Sequence, residues 1–410
     1  MKWDIKMMFE KINSWNNIIL GDCCKEKPSY GINAAAVEFN EELPRYIRIT
    51  DIDDYGRFSP NKLTSVNEKG WEDFILKKDD VLFVRTGSTT GKSYLYQEKD
   101  GELVYAGFLI KFSVDKTILL PYYLKLFTES SFYNQWVSVM SVRSGQPGIN
   151  SKEYSLLPIH LPPLKEQQEI AKILSTWDEA IETTQSLIEK LQFRKKGLMQ
   201  ELLSGKKRLA GFSEQWEEMR LGEVTNRITK KNTELNDTVI TISAQRGFVR
   251  QEDYFKKRVA SKTLSGYYLI EKGHFAYNKS YSKGYPMGAF KRLDTLEKAV
   301  VTTLYICFEA KENIDSDFLL NYFEGGMITK NLTKIAQEGG RAHGLLNIGI
   351  NEFFALKLTV PSLSEQKAIS KIIDLSDIEI SEKKAYLLQL KNQKKGLMQQ
   401  LLTGKKRVKL

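Results

Sequence analysis

One stretch of this chain occurs twice. It begins Pro162, Pro163, Leu164, Lys165, Glu166, Gln167, runs through Lys195, Lys196, Gly197, Leu198, Met199, Gln200 and closes at Gly205, Lys206, Lys207, Arg208. It returns as Pro361, Ser362, Leu363, Ser364, Glu365, Gln366, then Lys394, Lys395, Gly396, Leu397, Met398, Gln399, and closes at Gly404, Lys405, Lys406, Arg407. The offset is 199 residues throughout, without a gap, and about 22 of roughly 48 positions are identical. Solenoid repeats recur every 20–50 residues or so. A period this long means a duplicated domain, not an array.

Both copies predict long helices. In the first, apolar residues fall at Leu174, Trp177, Ile181, Ile188, Leu191, Leu198 and Leu202; in the second, at Ile373, Ile380, Leu387, Leu390, Leu397 and Leu401. Steps of three and four sustained over about four heptads are the a/d seam of a coiled coil. Proline stands before each start and glycine after each end, as helix punctuation requires, and the closing Lys and Arg residues suit the negative end of the helix dipole. Thr184, Lys195, Ser376, Lys383 and Lys394 interrupt the seam, so an amphipathic helix packed on its own domain is the plainer alternative. The matching frame favours two helices lying against each other. At 1.5 Å per residue, such a helix would span about 57 Å.

The segments before the helices repeat more faintly. Trp15, Leu20 and Gly21 correspond to Trp216, Leu221 and Gly222, and Asp80–Arg85 resembles His274–Lys279. A glycine-rich turn precedes Asn150 in one copy (Arg143 to Gly148) and Asn347 in the other (Gly339 to Gly344). The boundaries expected are therefore 1–160 and 209–359 for two variable domains, and 161–208 and 360–410 for the helical spacers. Within the domains, Tyr46–Ile49, Val81–Val84, Leu109–Phe112 and Leu304–Phe308 read as strands, and Tyr122–Trp136 and Ser316–Lys330 as helices. The class is α+β. Alternating strand–helix units of a doubly wound sheet are absent from the pattern.

Chemistry is sparse. Thr86, Gly87, Ser88, Thr89, Thr90, Gly91, Lys92, Ser93 resembles a phosphate-binding loop, but that loop needs glycine where Thr86 stands and a helix where Tyr94, Leu95 and Tyr96 predict a strand. There is no Gly-x-Ser-x-Gly elbow, no His-Glu-x-x-His, and no motif for holding a flipped base. Asp51, Asp53 and Asp54 read as a solvated turn. Three cysteines and three histidines give neither a disulfide framework nor metal spacing, so no cofactor or metal is expected. No apolar run suits a membrane span or a signal peptide, and the expected compartment is a reducing cytoplasm. Against 51 acidic residues stand 61 Lys and Arg, a net charge of +10, which favours a polyanionic partner.

The doubled Pro-x-Leu-x-Glu-Gln and Lys-Lys-Gly-Leu-Met-Gln-x-Leu-Leu-x-Gly-Lys-Lys-Arg motifs strongly resemble the conserved regions of type I restriction–modification specificity subunits, and the resemblance covers the whole chain. It implies two target-recognition domains separated by two helices in an antiparallel coiled coil, a pseudo-two-fold internal repeat. It implies a non-catalytic, DNA-reading subunit that binds double-stranded DNA, two methyltransferase (modification) subunits and restriction subunits. The target would be bipartite and asymmetric, one half read by each domain. In the loops after the matching strands, Arg85, Thr86, Ser88, Lys92, Lys279, Tyr281 and Lys283 are the candidates to face DNA. Arg143, Gln146, Arg341 and His343 join them from the glycine-rich turns. The alternative left open is a coiled-coil scaffold that binds proteins through its end domains.

Overall fold

The computed structural model describes residues 15–255, 263–282, 284–338 and 346–410. The chain divides into two compact units, one comprising residues up to Gln185 together with Tyr386–Leu410, the other Ser186–Ala385. Both long helices, Leu164–Leu202 and Leu363–Leu401, cross this division, so each unit holds half of each.

The first unit is built on a four-stranded antiparallel sheet ordered Ser29–Tyr30, Leu109–Phe112, Val81–Val84, Ser93–Leu95. Its register sets Val81 against Phe112 and Phe83 against Ile110. The two central strands, Val81–Val84 and Leu109–Phe112, are buried on both faces, which is why they read as nearly continuous apolar runs. One face carries Phe83 and Phe112 with Tyr123, Phe127, Tyr133, Trp136 and Tyr154, and the other carries Leu82, Val84, Tyr94 and Leu109. The helical stretch expected from Tyr122 to Trp136 is two helices, Pro121–Phe127 and Ser131–Met140. They break at Ser130, whose hydroxyl accepts the Tyr133 N–H at 3.2 Å as an N-cap. The strand expected over Tyr46–Ile49 stops at Ile47, because Asp51 caps the following turn.

The second unit repeats this topology. Its sheet runs Thr225–Ile228, Ile306–Ala310, Phe275–Asn278, Ala289–Arg292, again antiparallel throughout, with Phe275 against Phe308 and Tyr277 against Ile306. The strand expected from Leu304 begins two residues later, because Leu304 lies in an exposed turn. The helix expected over Ser316–Lys330 is Ser316–Glu324 and Thr329–Ile335, parted by Gly325 and by Gly326 in the left-handed region (φ +73°).

Each domain closes on itself at the root of its helix. Asn16–Ile19 pairs antiparallel with Pro158–Leu161, and Glu217–Arg220 with Lys357–Val360. The following helix starts on a buried Glu-Gln pair. The Gln167 carboxamide accepts from Leu120 N–H and donates to the Ile118 and Pro162 carbonyls, each at 2.9 Å. Gln366 accepts from Asp315 N–H at 2.7 Å and donates to the Pro361 carbonyl at 2.9 Å. Glu166 takes both Arg407 nitrogens at 2.5 Å and the Trp15 indole N–H at 3.1 Å. Glu365 takes Arg208 at 2.6 and 2.7 Å. Both arginines lie over a tryptophan ring, Arg407 over Trp15 at 5.5 Å and Arg208 over Trp216 at 5.7 Å. The faint repeat at Trp15 and Trp216 therefore has a physical cause: each ring covers a bidentate ion pair joining the start of one helix to the tail of the other.

Within each unit the helices run antiparallel. In the first, Glu166 pairs with Arg407 and Asp178 with Lys394. In the second, Lys195 pairs with Asp377 and Arg208 with Glu365. Every pair maps onto another by the 199-residue offset. Leu174, Ile181, Ile188, Leu191, Ile373, Ile380 and Leu390 are buried, whereas Trp177 and Leu387 are half-buried. The polar seam residues Thr184 and Ser376 are also buried, their hydroxyls donating to the Ala180 and Ile372 carbonyls.

Candidate nucleic-acid interface

In the first domain, the glycine-rich loop of residues 86–92 turns the Val81–Val84 strand back into Ser93–Leu95. A hairpin offers no helix N-terminus, so the phosphate-loop reading fails on topology as well as on spacing. The glycines serve the turn. Gly87 and Gly91 have φ of +87° and +95°, and a Cβ on Gly91 would lie 2.5 Å from Val137.

The second candidate segment packs directly on the first. Thr86 bridges Gly148, Gly87 N–H donates to the Pro147 carbonyl at 3.0 Å, and Ile149 N–H donates to the Arg85 carbonyl at 2.9 Å. Residues about 60 apart in sequence thus form one surface carrying Arg85, Thr86, Ser88 and Gln146. The Arg85 guanidinium lies over the Tyr30 ring at 4.7 Å, and Tyr30 is in turn held by Ser151 at 3.0–3.1 Å. An arginine held over an aromatic ring gives up part of its rotamer freedom before it meets a ligand.

Two candidates are held by carboxylates instead. Lys92 pairs with Asp54 at 2.7 Å and donates to the Ile52 carbonyl at 3.3 Å. Arg143 chelates Glu153 at 2.6 Å and donates to the Met140 and Val142 carbonyls, which locks the turn carrying Gln146. The acidic cluster is not simply solvated, either. Asp51 is buried on Arg48 at 2.9–3.0 Å, and Asp53 accepts the Tyr55 and Arg57 N–H groups.

In the second domain, Leu346 N–H donates to the Lys279 carbonyl at 3.1 Å, the contact that Ile149 makes with Arg85 in the first. Lys279 is half-buried and Tyr281 is exposed. Lys283, Arg341 and His343 lie outside the described residues.

Sequence reasoning missed three groups here. Tyr30 carries no signal of its own, since its partner Arg85 is 55 residues away. Leu304 opens the strand expected over Leu304–Phe308 and Phe108 immediately precedes the one expected over Leu109–Phe112, but both stand exposed in turns. The hairpin of Ile240–Ser243 and Gly247–Arg250 presents Gln245 and Arg246 at its tip, with Arg246 over the Tyr254 ring at 5.7 Å. Its alternating Ile-Thr-Ile-Ser and Phe-Val runs around a glycine turn would have revealed it.

Burial pushes the Cys23, Cys24 and Cys307 thiols up to about 12 and lowers the pKa of His160 and His274. Among the described residues no group of three His, Cys, Asp or Glu side chains could hold a metal ion, and no helix is long and apolar enough to cross a membrane.

The model of the type I restriction modification DNA specificity domain matches residues 13–192 and again 213–392. The type I restriction enzyme MjaVIII specificity subunit of Methanocaldococcus jannaschii is 28% identical over 428 aligned positions, covering 96% of this chain and 93% of that protein. The S subunit of a type I restriction–modification system from M. genitalium has the same fold, with a TM-score of 0.53 at 17% identity over 95% of this chain and 97% of that one. A chain solved in work on complex assembly and conformational transition of a type I restriction–modification system gives a TM-score of 0.53 at 14% identity, over 96% and 98%.

Proposed function

The chain belongs to the family of type I restriction–modification DNA specificity subunits, and from that premise we propose that it reads a bipartite, asymmetric DNA site without performing catalysis itself. In this reading residues 1–160 and 209–359 are the recognition domains, one per half-site, and 161–208 with 360–410 form the spacer. Two methyltransferase subunits and the restriction subunits would join it in the cytoplasm to supply the chemistry.

The observation that carries the proposal is one topology with two different reading surfaces. Both sheets have the same strand order and register, and the Arg85 and Lys279 carbonyls accept a backbone N–H from Ile149 and Leu346 respectively. The side chains offered differ: Arg85, Thr86, Ser88 and Gln146 in one domain, Lys279 and Tyr281 in the other. Arg and Gln meet base edges with planar two-pronged groups, whereas Lys presents a freely rotating ammonium and Tyr a single hydroxyl. Unlike surfaces on like scaffolds call for unlike half-sites. Lys92 and Arg143, held by Asp54 and Glu153, then serve to fix the reading loops.

A domain exchange tests this. Each recognition domain enters and leaves through one antiparallel strand pair, so residues 15–160 can be replaced without rerouting the helices. With the methyltransferase subunits present, methylation of genomic DNA should move to a site changed in one half only. A change in both halves would refute independent reading. Loss of DNA binding in favour of protein capture would point to the scaffold alternative.

A further inference from the structure

Phe108 and Leu304 hold the same place in two domains of unlike sequence. The sheet registers set Phe83 against Ile110 and Tyr277 against Ile306. Two residues beyond these pairs, past the end of one strand and before the start of its antiparallel neighbour, stand Arg85 and Phe108 in the first domain and Lys279 and Leu304 in the second. Arg85 N–H donates to the Phe108 carbonyl at 3.0 Å, so the turn bearing Phe108 borders the reading loop directly. Phe108 is 56% exposed and Leu304 61% exposed, although their strand neighbours Leu109 and Ile306 are buried.

A single exposed apolar residue needs no explanation. Two at matching positions of two related sheets do, one bordering Arg85 and the other two residues before the strand that pairs with the Phe275–Asn278 strand leading to Lys279. Neither is buried by the described residues of its own domain, and the backbone beside Phe108 is held by close contacts. Gly107 N–H donates to the Ile32 carbonyl at 2.8 Å, and a Cβ on the neighbouring Gly31 would lie 2.2 Å from the Tyr105 carbonyl oxygen. The apolar side chain is thus presented outward from a fixed turn.

We propose that Phe108 and Leu304 each contact the 5-methyl group of a thymine in the major groove, adding one A·T-specific position to each half-site. This rests on the DNA-reading function proposed above. An arginine poised to read a guanine edge works in the major groove, and the only apolar group displayed there is the thymine methyl. A side chain touching that methyl distinguishes thymine from the other three standard bases with no hydrogen bond. A cationic neighbour (Arg85 or Lys279) and an apolar one together then read two adjacent positions by different chemistry.

The test is selection of bound duplexes by the full chain, assembled with its methyltransferase subunits, from two random pools, one containing thymine and one containing deoxyuridine throughout. The wild type should enrich a thymine in each half of its site. In the deoxyuridine pool these two preferences should fall about fourfold, which is what burying one methyl group is worth. Phe108→Ala should lose the thymine preference in the first half alone, and Leu304→Ala in the second half alone; neither variant should respond further to deoxyuridine. Phe108→Leu should retain part of the preference.

The inference is overturned if either alanine variant keeps the wild-type base preferences, or if one substitution weakens both halves together, which would mark a structural role. It is also overturned if 2-aminopurine at the affected step reports unstacking by the wild type and not by Phe108→Ala, because the ring would then be a wedge. In all three outcomes the wild type still selects a bipartite site and the proposed function stands. If the wild type enriches no sequence from the thymine pool, the proposed function itself fails.

Discussion

Lys195 and Lys394 occupy the same position of the doubled motif, and replacing each with methionine should have very different consequences. Lys394 is 9% exposed and sits between Glu129 and Asp178, 2.8 Å from each. Lys195 is 21% exposed and pairs with Asp377, which is 54% exposed. Removing one partner of a buried ion pair costs about 3–5 kcal/mol, because the other charge is left buried and uncompensated. Glu129 and Asp178 retain some solvent and two other partners, Lys125 and the Tyr122 hydroxyl at 2.8 Å each. That relief brings the expected cost of Lys394→Met down to about 2 kcal/mol. Lys195→Met should cost below about 1 kcal/mol, since its carboxylate simply returns to water.

Urea unfolding followed by tryptophan fluorescence, with hydrogen exchange along the helices to assign the transition, separates the two. A loss of about 2 kcal/mol lowers the urea midpoint by roughly 1 M. The pH dependence adds an internal check. Burial alone would raise the Glu129 pKa, but Lys125 and Lys394 hold it below the usual glutamate value of 4.5. A depressed carboxylate contributes stability that is present above its unfolded pKa and lost as pH falls through the folded one. The gap between wild type and Lys394→Met should therefore be full above pH 4.5 and should close on further acidification. Equal costs for the two lysines, or a gap that widens in acid, would refute the reasoning.

Aspartate at both Ile181 and Ile380, each buried in the seam of its own helix, should lower thermal stability severely, because two unpaired charges would enter an apolar seam; unchanged melting would exclude the coiled-coil packing. Insertion of four residues, about one turn, into each long helix should lengthen the gap between half-sites and leave both sequences intact, as read by methylation mapping. Arg85→Ala should cost about 1–3 kcal/mol of site affinity and relax one base position; uniform loss over all sequences would reassign Arg85 to phosphate contact.

The two halves of this protein were unequally legible. The helices were clear because an a/d pattern bounded by proline and glycine is local information, and duplication displayed it twice. Strands such as Val81–Val84 and Leu109–Phe112 were legible for the same reason, as short apolar runs between turns. The reading surface was only partly so. Arg85 and Gln146 were each expected to face DNA from their places in the repeat, but their packing side by side, Tyr30 beneath Arg85, and the capture of Lys92 by Asp54 and of Arg143 by Glu153 depend on pairings no local pattern encodes.

By itself, then, the sequence determined the duplicated plan, the two long helices, the α+β character of the inserted domains and the family. Each of these follows from periodicity, punctuation or an extended motif. The tertiary structure alone decided what the motif's residues are for. Glu166 and Glu365 are buried because an arginine about 160 to 240 residues away returns to meet each of them. Lys394 is buried, and Lys195 less so, because only Lys394 finds Glu129 from its neighbouring domain. Identical residues at identical repeat positions acquire different energetics through partners distant in the chain, and only the folded arrangement specifies those partners.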